Sequence, residues 1–224
     1  MTGFATVVFD LDGTLLDTIE DLHLTLDHAL EANGLAPRSL AEARAFVGNG
    51  IRKLVERGVP AHTPPEVVDA VFDEFNRHYA AHCNDHTSAY PGMRELVASL
   101  RSEGRRVAVV SNKSDYAVQE LVGIYFPGAF DAVAGVREGI ARKPARDMVD
   151  AALAAMGPGA QADAAAGRAA YVGDSEVDVA TARNAQMPCL SVSWGFRSVA
   201  QLEEAGATRI LATPDELARA IREG

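Results

Sequence analysis

The residues with the clearest chemical potential are two carboxylates, Asp10 and Asp12, in the stretch Phe9-Asp10-Leu11-Asp12-Gly13-Thr14-Leu15-Leu16-Asp17. Thr6-Val7-Val8-Phe9 precedes them, a β-branched and aromatic run of the kind that forms a buried strand. A buried strand ending in two acids sets negative charge at the rim of a core. That costs free energy unless a cation, hydrogen-bond donors or a proton offset it. The alternative is an ordinary Asp-Gly turn with solvated acids. Two further strand ends carry polar groups. Ser111-Asn112 closes Val107–Val110, and Gly173-Asp174-Ser175-Glu176-Val177-Asp178 closes Tyr171–Val172. Each has a plainer reading too, Ser111 as a helix cap and the acids as favourable first-turn residues. Lys143-Pro144, after Gly139-Ile140-Ala141-Arg142, offers a fixed cation, with Arg142 and Lys113 as competitors.

These elements must be positioned by the rest of the chain, whose pattern changes twice. Thr18 to Asn33 reads as an amphipathic helix with Leu22, Leu26, Ala29 and Leu30 on one face and Gly34 as its stop. Ser39-Leu40-Ala41-Glu42 starts a second helix with a capping box, and Ile51 to Arg57 makes another turn or two. Thr63-Pro64-Pro65-Glu66 predicts a capping box and a helix to about Cys83. From Tyr90 onward strands and helices alternate. Strands are expected at Arg106–Ser111, Phe130–Ala134, Ala169–Gly173, Cys189–Val192 and Thr208–Leu211. Helices are expected after Pro91-Gly92 and over 114–122, 146–156 and 175–185, with a last one capped at Thr213. Gly157 to Gly167, rich in Ala, Gly and Pro, reads as a loop. The alternation implies an α/β fold with a parallel sheet covered on both faces.

The segment Asp10 to Asp17, Asp-x-Asp-Gly-Thr-Leu-x-Asp, resembles the first motif of the haloacid dehalogenase superfamily. Ser111, Lys143-Pro144 and Gly173-Asp174-Ser175 with Asp178 are similar to its second, third and fourth motifs, in order. Arg146 stands where many members have a second Pro, so the turn after Lys143 is expected to differ. The resemblance implies a Rossmann-like core with helices on both faces, formed by 1–16 and 89–224, and an all-helical cap over 17–88. It implies hinges near Leu15–Thr18 and Ser88–Pro91.

It also implies roles. Asp10 is the nucleophile that becomes an aspartyl-phosphate, and Asp12 the general acid/base. Residues i and i+2 of an extended chain point the same way, so both acids can reach one phosphoryl group. Ser111 hydrogen-bonds phosphoryl oxygens and Lys143 offsets their charge. Asp10, the backbone carbonyl of Asp12 and Asp174 bind Mg²⁺, which prefers oxygen ligands. Thr14, Asn112 and Asp178 support the site, Asp178 as a water-mediated ligand or as partner to Lys143. Members that remove halogen usually carry Tyr at position 12 and those that cleave carbon–phosphorus bonds usually carry Ala, so Asp12 implies phosphate ester chemistry. The expected activity is hydrolysis of a small phosphate monoester. Pyrophosphate or nucleotide hydrolysis, a sugar phosphomutase and an inactive binding protein are the alternatives.

Substrate choice falls to the expected cap. Phe46-Val47-Gly48-Asn49-Gly50 resembles the cap loop of bacterial phosphoglycolate phosphatases, and Trp194-Gly195-Phe196-Arg197 a segment of that group and of pyrophosphate-hydrolysing relatives. Arg52 and Lys53 open a short helix, where the dipole disfavours cations; an anion held by Gly48, Asn49, Gly50 and Arg52 would resolve the conflict, and solvated basic residues are the alternative. His78, His82 and His86, four apart, raise a zinc site, with a plain polar face the commoner reading.

The chain has 224 residues, 48% hydrophobic and 23% charged, enough for one sizeable core or a core with a small insert. A net charge of −10 argues against nucleic acid and acidic membranes as partners, so positive potential must be supplied locally. Basic usage is lopsided: eighteen Arg but only Lys53, Lys113 and Lys143, which marks those positions for inspection. All six His fall between residues 18 and 90, a hint that this segment is a separate unit. Cys83 and Cys189 form no metal or redox spacing and are expected to be packing residues in a reducing cytoplasm. No apolar run approaches a membrane span. A small phosphorylated metabolite is the expected partner, and a monomer or homodimer the expected state.

Overall fold

The computed structural model describes residues 3–224. In chain order the elements are β1 (Thr6–Phe9), β2 (Leu16–Asp17), α1 (Ile19–Ala32), α2 (Leu40–Phe46), α3 (Ile51–Gly58), α4 (Pro65–His82) and β3 (Ser88–Ala89). Then come α5 (Met93–Ser102), β4 (Arg106–Ser114), α6 (Asp115–Tyr125), β5 (Ala132–Val136), α7 (Asp147–Ala155), α8 (Pro158–Ala165) and β6 (Ala169–Gly173). The chain ends with α9 (Glu176–Asn184), β7 (Cys189–Val192), α10 (Val199–Glu204), β8 (Ile210–Leu211) and α11 (Pro214–Glu223). It divides into two compact units, one of residues up to Leu16 with Ala89–Gly224, the other Asp17–Ser88.

The first unit is built on a six-stranded sheet in the order β5-β4-β1-β6-β7-β8, and every pair in it is parallel. Its strands are near-continuous apolar runs because helices cover both faces. The period of two is visible in how β1, β4 and β6 divide their side chains. Val7, Phe9, Val107, Val109, Ala170 and Val172 pack with Leu96, Leu121, Leu217 and Ile221 from α5, α6 and α11. Val8, Ala108, Val110, Ala169 and Tyr171 face the other way, onto Met148, Val149, Leu153, Ala160 and Ala182 from α7, α8 and α9. Each fully buried Val, Leu or Phe contributes roughly 1.5–3 kcal/mol. Register places the functional ends side by side: Phe9 pairs with Val109 on one flank and Val172 on the other. The strand order reverses beside β1, the kind of position where open α/β sheets bind ligands.

The second unit is helical. Leu22, Leu26, Ala29 and Leu30 on α1 and Val68, Val71, Phe75 and Tyr79 on α4 are buried at helical spacing. Buried Asp21 accepts bonds from the backbone N–H of His86 and Thr87, both at 2.8 Å, and from Thr87 Oγ1 at 2.7 Å, which ties the end of the segment to α1.

Several local expectations change. Residues 158–165, expected as loop, form α8: Gly157 and Gly167 lie outside the helix ends, with Pro158 in its first turn. The Thr63–Glu66 capping box does not form. Pro64 takes the cap position and Thr63 Oγ1 donates to the Pro60 carbonyl at 2.7 Å. Helix α10 was not anticipated, although Ser198 and Gln201 form a complete capping box at its start. His86 lies beyond the end of α4; His78 stacks instead on His82 and on His28 of α1, with ring centroids 4.2 and 4.0 Å apart. Among the described residues, no helix is long and apolar enough to cross a membrane.

Candidate active site

The carboxyl ends of β1, β4 and β6 gather the polar residues. Asp10 follows β1 directly, and its N–H donates to the Val172 carbonyl of β6 at 2.9 Å. The chain then turns at Gly13, whose φ of +81° suits Gly and strains other residues; a Cβ there would also run into the Asp174 carboxylate. From the end of β6, Asp174 and Asp178 enter the same space. One carboxylate oxygen each of Asp10, Asp174 and Asp178 lies within 4.8 Å of the others.

One ammonium stands among these three acids. Lys143 is 3% exposed; its Nζ lies 2.8 Å from Asp10 Oδ1 and 2.9 Å from Asp178 Oδ1, and donates to Tyr171 Oη at 3.1 Å. Its three donors match three acceptors. The loop that carries it is held at two successive carbonyls: Asn112 Nδ2 donates to that of Lys143 at 3.1 Å, and Asn184 Nδ2 to that of Pro144 at 2.7 Å. Asp178 is fully buried, and donors saturate it. Oδ2 accepts from Ser175 Oγ (2.6 Å), Ser175 N (3.1 Å) and Asp174 N (3.2 Å), while Oδ1 faces Lys143 and Tyr171. It fixes the lysine and the turn at the start of α9. Asp174 is held by Thr14 Oγ1 at 3.2 Å and by the Phe196 N–H at 2.6 Å. On Asp10, the Leu11 N–H (2.7 Å) and Lys143 both take Oδ1.

The electrostatics follow from counting. Burial pushes Asp10 well above the usual carboxylate range, and Asp178 and Asp174 add to the push against the pull of Lys143. Burial and Asp178 raise Asp174 to about 7, despite the Phe196 N–H. Lys143 stays protonated: burial works against its charge, but Asp10 and Asp178 outweigh burial and hold it well above its ordinary value. Three buried carboxylates around one ammonium leave an unbalanced negative charge, which a proton or a further cation must offset. The donor set is all oxygen and buried, which fits a hard divalent ion. Asp10 and Asp174 are the carboxylates suited to it, since Asp178 is already saturated.

Asp12 does not join that cluster through its side chain. Its Oδ1 lies 2.8 Å from Lys113 Nζ. Lys113, considered above only as a rival to Lys143, is thus an unforeseen member of the site. So are the Phe196 N–H and Tyr171 Oη. Gly195 permits the Phe196 contact, because a Cβ there would collide with Asp174 and with the Gly13 carbonyl. Trp194 Nε1 donates to the Thr14 carbonyl at 3.1 Å, so the stretch 194–196 braces both the first and fourth motifs. Ser111 is buried and its Oγ accepts from the Lys113 N–H at 3.2 Å. Arg142 is exposed, and Lys143 holds the central position.

The family profile of haloacid dehalogenase-like hydrolases matches residues 7–192. The chain belongs to that family. It is a hydrolase, and its relatives narrow the likeness. Over 195 residues it is 37% identical to phosphoglycolate phosphatase of Cereibacter sphaeroides, spanning 85% of this chain and 86% of the relative. A solved structure from Lactobacillus delbrueckii subsp. bulgaricus, provisionally named a phosphoglycolate phosphatase, superposes with a TM-score of 0.92 at 35% identity over the full length of both chains. CbbY of Rhodobacter sphaeroides, solved in complex with phosphate, gives a TM-score of 0.69 at 25% identity over 96% of each chain.

Gly48, Asn49, Gly50 and Arg52 belong to the helical unit. Within it Arg52 pairs with Glu56 at 3.1 Å and Asp69 at 2.6 Å and lies over the Phe72 ring. Those carboxylates answer the helix-start conflict that suggested a bound anion. Asn49 Oδ1 accepts from Arg57 at 2.7 Å, and Gly50 caps α3 with φ +83°. The histidines gather no metal ligands; among the described residues only Asp10, Asp174 and Asp178 form such a group. Cys83 is buried, and burial raises the Cys189 thiol to about 12, which leaves it un-nucleophilic.

Proposed function

We propose that this family member is a Mg²⁺-dependent phosphatase acting on a small phosphate monoester through an aspartyl-phosphate, with 2-phosphoglycolate the best candidate substrate. The observation that carries the reading is the buried cluster of Asp10, Asp174 and Asp178 around Lys143 at the carboxyl ends of β1 and β6. The names of the relatives support the substrate, and the phosphate held by CbbY supports the ligand class. Asp10, Asp174 and the backbone carbonyl of Asp12 would hold Mg²⁺, which supplies positive charge beside the phosphoryl oxygens.

In the first half-reaction an Asp10 oxygen bonds to phosphorus as the ester P–O bond breaks, and Asp12 gives a proton to the leaving oxygen. In the second, Asp12 takes a proton from water, the water oxygen bonds to phosphorus, and Asp10 leaves as a carboxylate. Ser111 Oγ donates to a phosphoryl oxygen. Lys143, locked by Asp178 and Tyr171, offsets charge without reorganising. The saturated Asp178 acts by holding Lys143. Gly48, Asn49, Gly50 and Arg52 remain the cap residues to test for substrate choice.

Phosphate release from 2-phosphoglycolate, pyrophosphate, nucleoside monophosphates and sugar phosphates, with and without Mg²⁺, tests the reading. Metal-dependent turnover is expected to be highest on 2-phosphoglycolate. Preference for pyrophosphate or a nucleotide would replace the substrate. No turnover by folded protein on any of them would leave a mutase or a binding role.

A further inference from the structure

Lys113 is a buried cation that the scheme above does not use. Its side chain is 2% exposed, against 20% for the Asp12 carboxylate it meets at 2.8 Å. In a chain with eighteen Arg it is one of three Lys, and two of those three stand in this site. The backbone is shaped to bring it in. Val110 pairs with Ala134 and Ser114 with Val136, so four steps along β4 match two along β5. The irregularity falls on Ser111, Asn112 and Lys113, and such a bulge re-aims side chains. It is pinned in place by the Lys113 N–H on Ser111 Oγ and by Asn112 Nδ2 on the Lys143 carbonyl.

An ammonium has three donors and no acceptor. Asp12 Oδ1, facing Lys113 Nζ, can therefore only accept. That contact favours Oδ2 as the oxygen to carry a proton, because the unprotonated oxygen of a carboxyl group is the stronger acceptor. We infer that Lys113 is the positioning residue for Asp12, holding Oδ1 so that the transferable proton occupies Oδ2. This inference rests on the phosphatase reading. In the balanced step, the Oδ2–H bond breaks as the leaving oxygen gains the proton, while the ester P–O bond breaks and the Asp10–phosphorus bond forms. Lys113 keeps its own protons and acts through Asp12, whereas Lys143 acts on Asp10 directly.

The two lysines are then separable by leaving group. An alkoxide needs the proton from Asp12; p-nitrophenolate hardly does. With Mg²⁺ present, Lys113→Met is expected to lower kcat/KM on 2-phosphoglycolate by about 10²-fold, the scale of general acid catalysis, but on p-nitrophenyl phosphate by less than about fivefold. Asp12→Asn should show the same selectivity, and adding Lys113→Met to Asp12→Asn should cost little more on 2-phosphoglycolate, as expected of residues acting as a unit. Lys113→Gln, which keeps a donor, is a second reading should the Met variant not fold: its loss should also fall mainly on 2-phosphoglycolate, at smaller size. Equal losses on both substrates in either variant would overturn the positioning role and leave the phosphatase reading intact. A wild-type protein inactive on both substrates would overturn the two together.

Discussion

The two ends of the central sheet each bury aspartate, and they treat it differently. At the amino end Asp163, on α8, accepts from Thr6 Oγ1 and Arg106 at 2.9 Å and from Arg168 at 2.8 Å. One carboxylate meets two guanidiniums there, and both guanidiniums reach solvent, at 40% and 51% side-chain exposure. The negative charge is fully answered, the surplus positive charge reaches water, and the cluster joins α8 to the starts of β1, β4 and β6. At the carboxyl end three carboxylates share one ammonium, and all four groups are buried. Both arrangements satisfy hydrogen bonds. Only the second leaves negative charge for a proton or a cation to answer. Charge balance, rather than burial, separates a structural acid from a chemical one in this fold.

The largest test of that contrast is to remove the nucleophile. Asp10→Asn should lower turnover by about 10³-fold or more while keeping the protein folded, because it relieves an over-acidic cluster. Lost folding, seen by circular dichroism, would mean that Asp10 is a structural acid like Asp163.

Next comes the metal. Asp174 is raised to about 7, above the roughly 3.9 of an unfolded Asp. The folded chain therefore holds that proton more tightly, and metal-free stability should fall as pH rises from about 4 to about 7. Mg²⁺ competes for the same oxygens, so its stabilisation should grow over that interval. At a hundredfold excess over Kd the gain is about 2.7 kcal/mol, seen as a rise in Tm of several degrees near neutral and alkaline pH and much less near pH ~5. A Tm indifferent to Mg²⁺ at all pH values would contradict the cation reading of the cluster.

A smaller effect is expected at the amino end. Asp163→Asn should destabilise by roughly 1–3 kcal/mol, less than a fully enclosed pair because both Arg side chains can turn to water. kcat/KM per folded molecule should not move. A change in Mg²⁺ requirement would show that the two ends are coupled.

The contrast was half legible in the sequence. Asp10, Asp12 and Asp174 were visible because they stand at the ends of apolar strands, where an acid is conspicuous; Asp178, in the first turn of α9, was singled out by the resemblance to the fourth motif. Lys113 was not, since a residue two places past an expected strand end can point anywhere; the irregularity in β4 decides its direction. The Phe196 donor is backbone and carries no residue signature. Asp163 was hidden because α8 has almost no apolar stripe, burying only Ala160 and Asp163, and alanine between glycines reads equally well as loop. At Arg52 the helix-start charge was read correctly, but its partners Glu56 and Asp69 come from the same helix and from α4, a pairing that spacing alone does not reveal.

The finest comparison makes one substitution at both ends. Thr6 Oγ1 donates to Asp163 and Thr14 Oγ1 to Asp174, and both threonines are fully buried. Thr→Val keeps the shape and removes the donor, so each change should cost about 1 kcal/mol of stability. Beyond that they should diverge. Thr6→Val leaves Asp163 with its two guanidiniums and should not alter catalysis or the Mg²⁺ concentration for half-activity. Thr14→Val frees a carboxylate expected to hold the metal, and loss of such an outer partner typically weakens binding 10–100-fold. A raised Mg²⁺ requirement in Thr14→Val alone would assign metal holding to Asp174. Equal behaviour of the two variants would mean that the hydroxyl at the carboxyl end only packs, and that Asp174 is oriented by the Phe196 N–H.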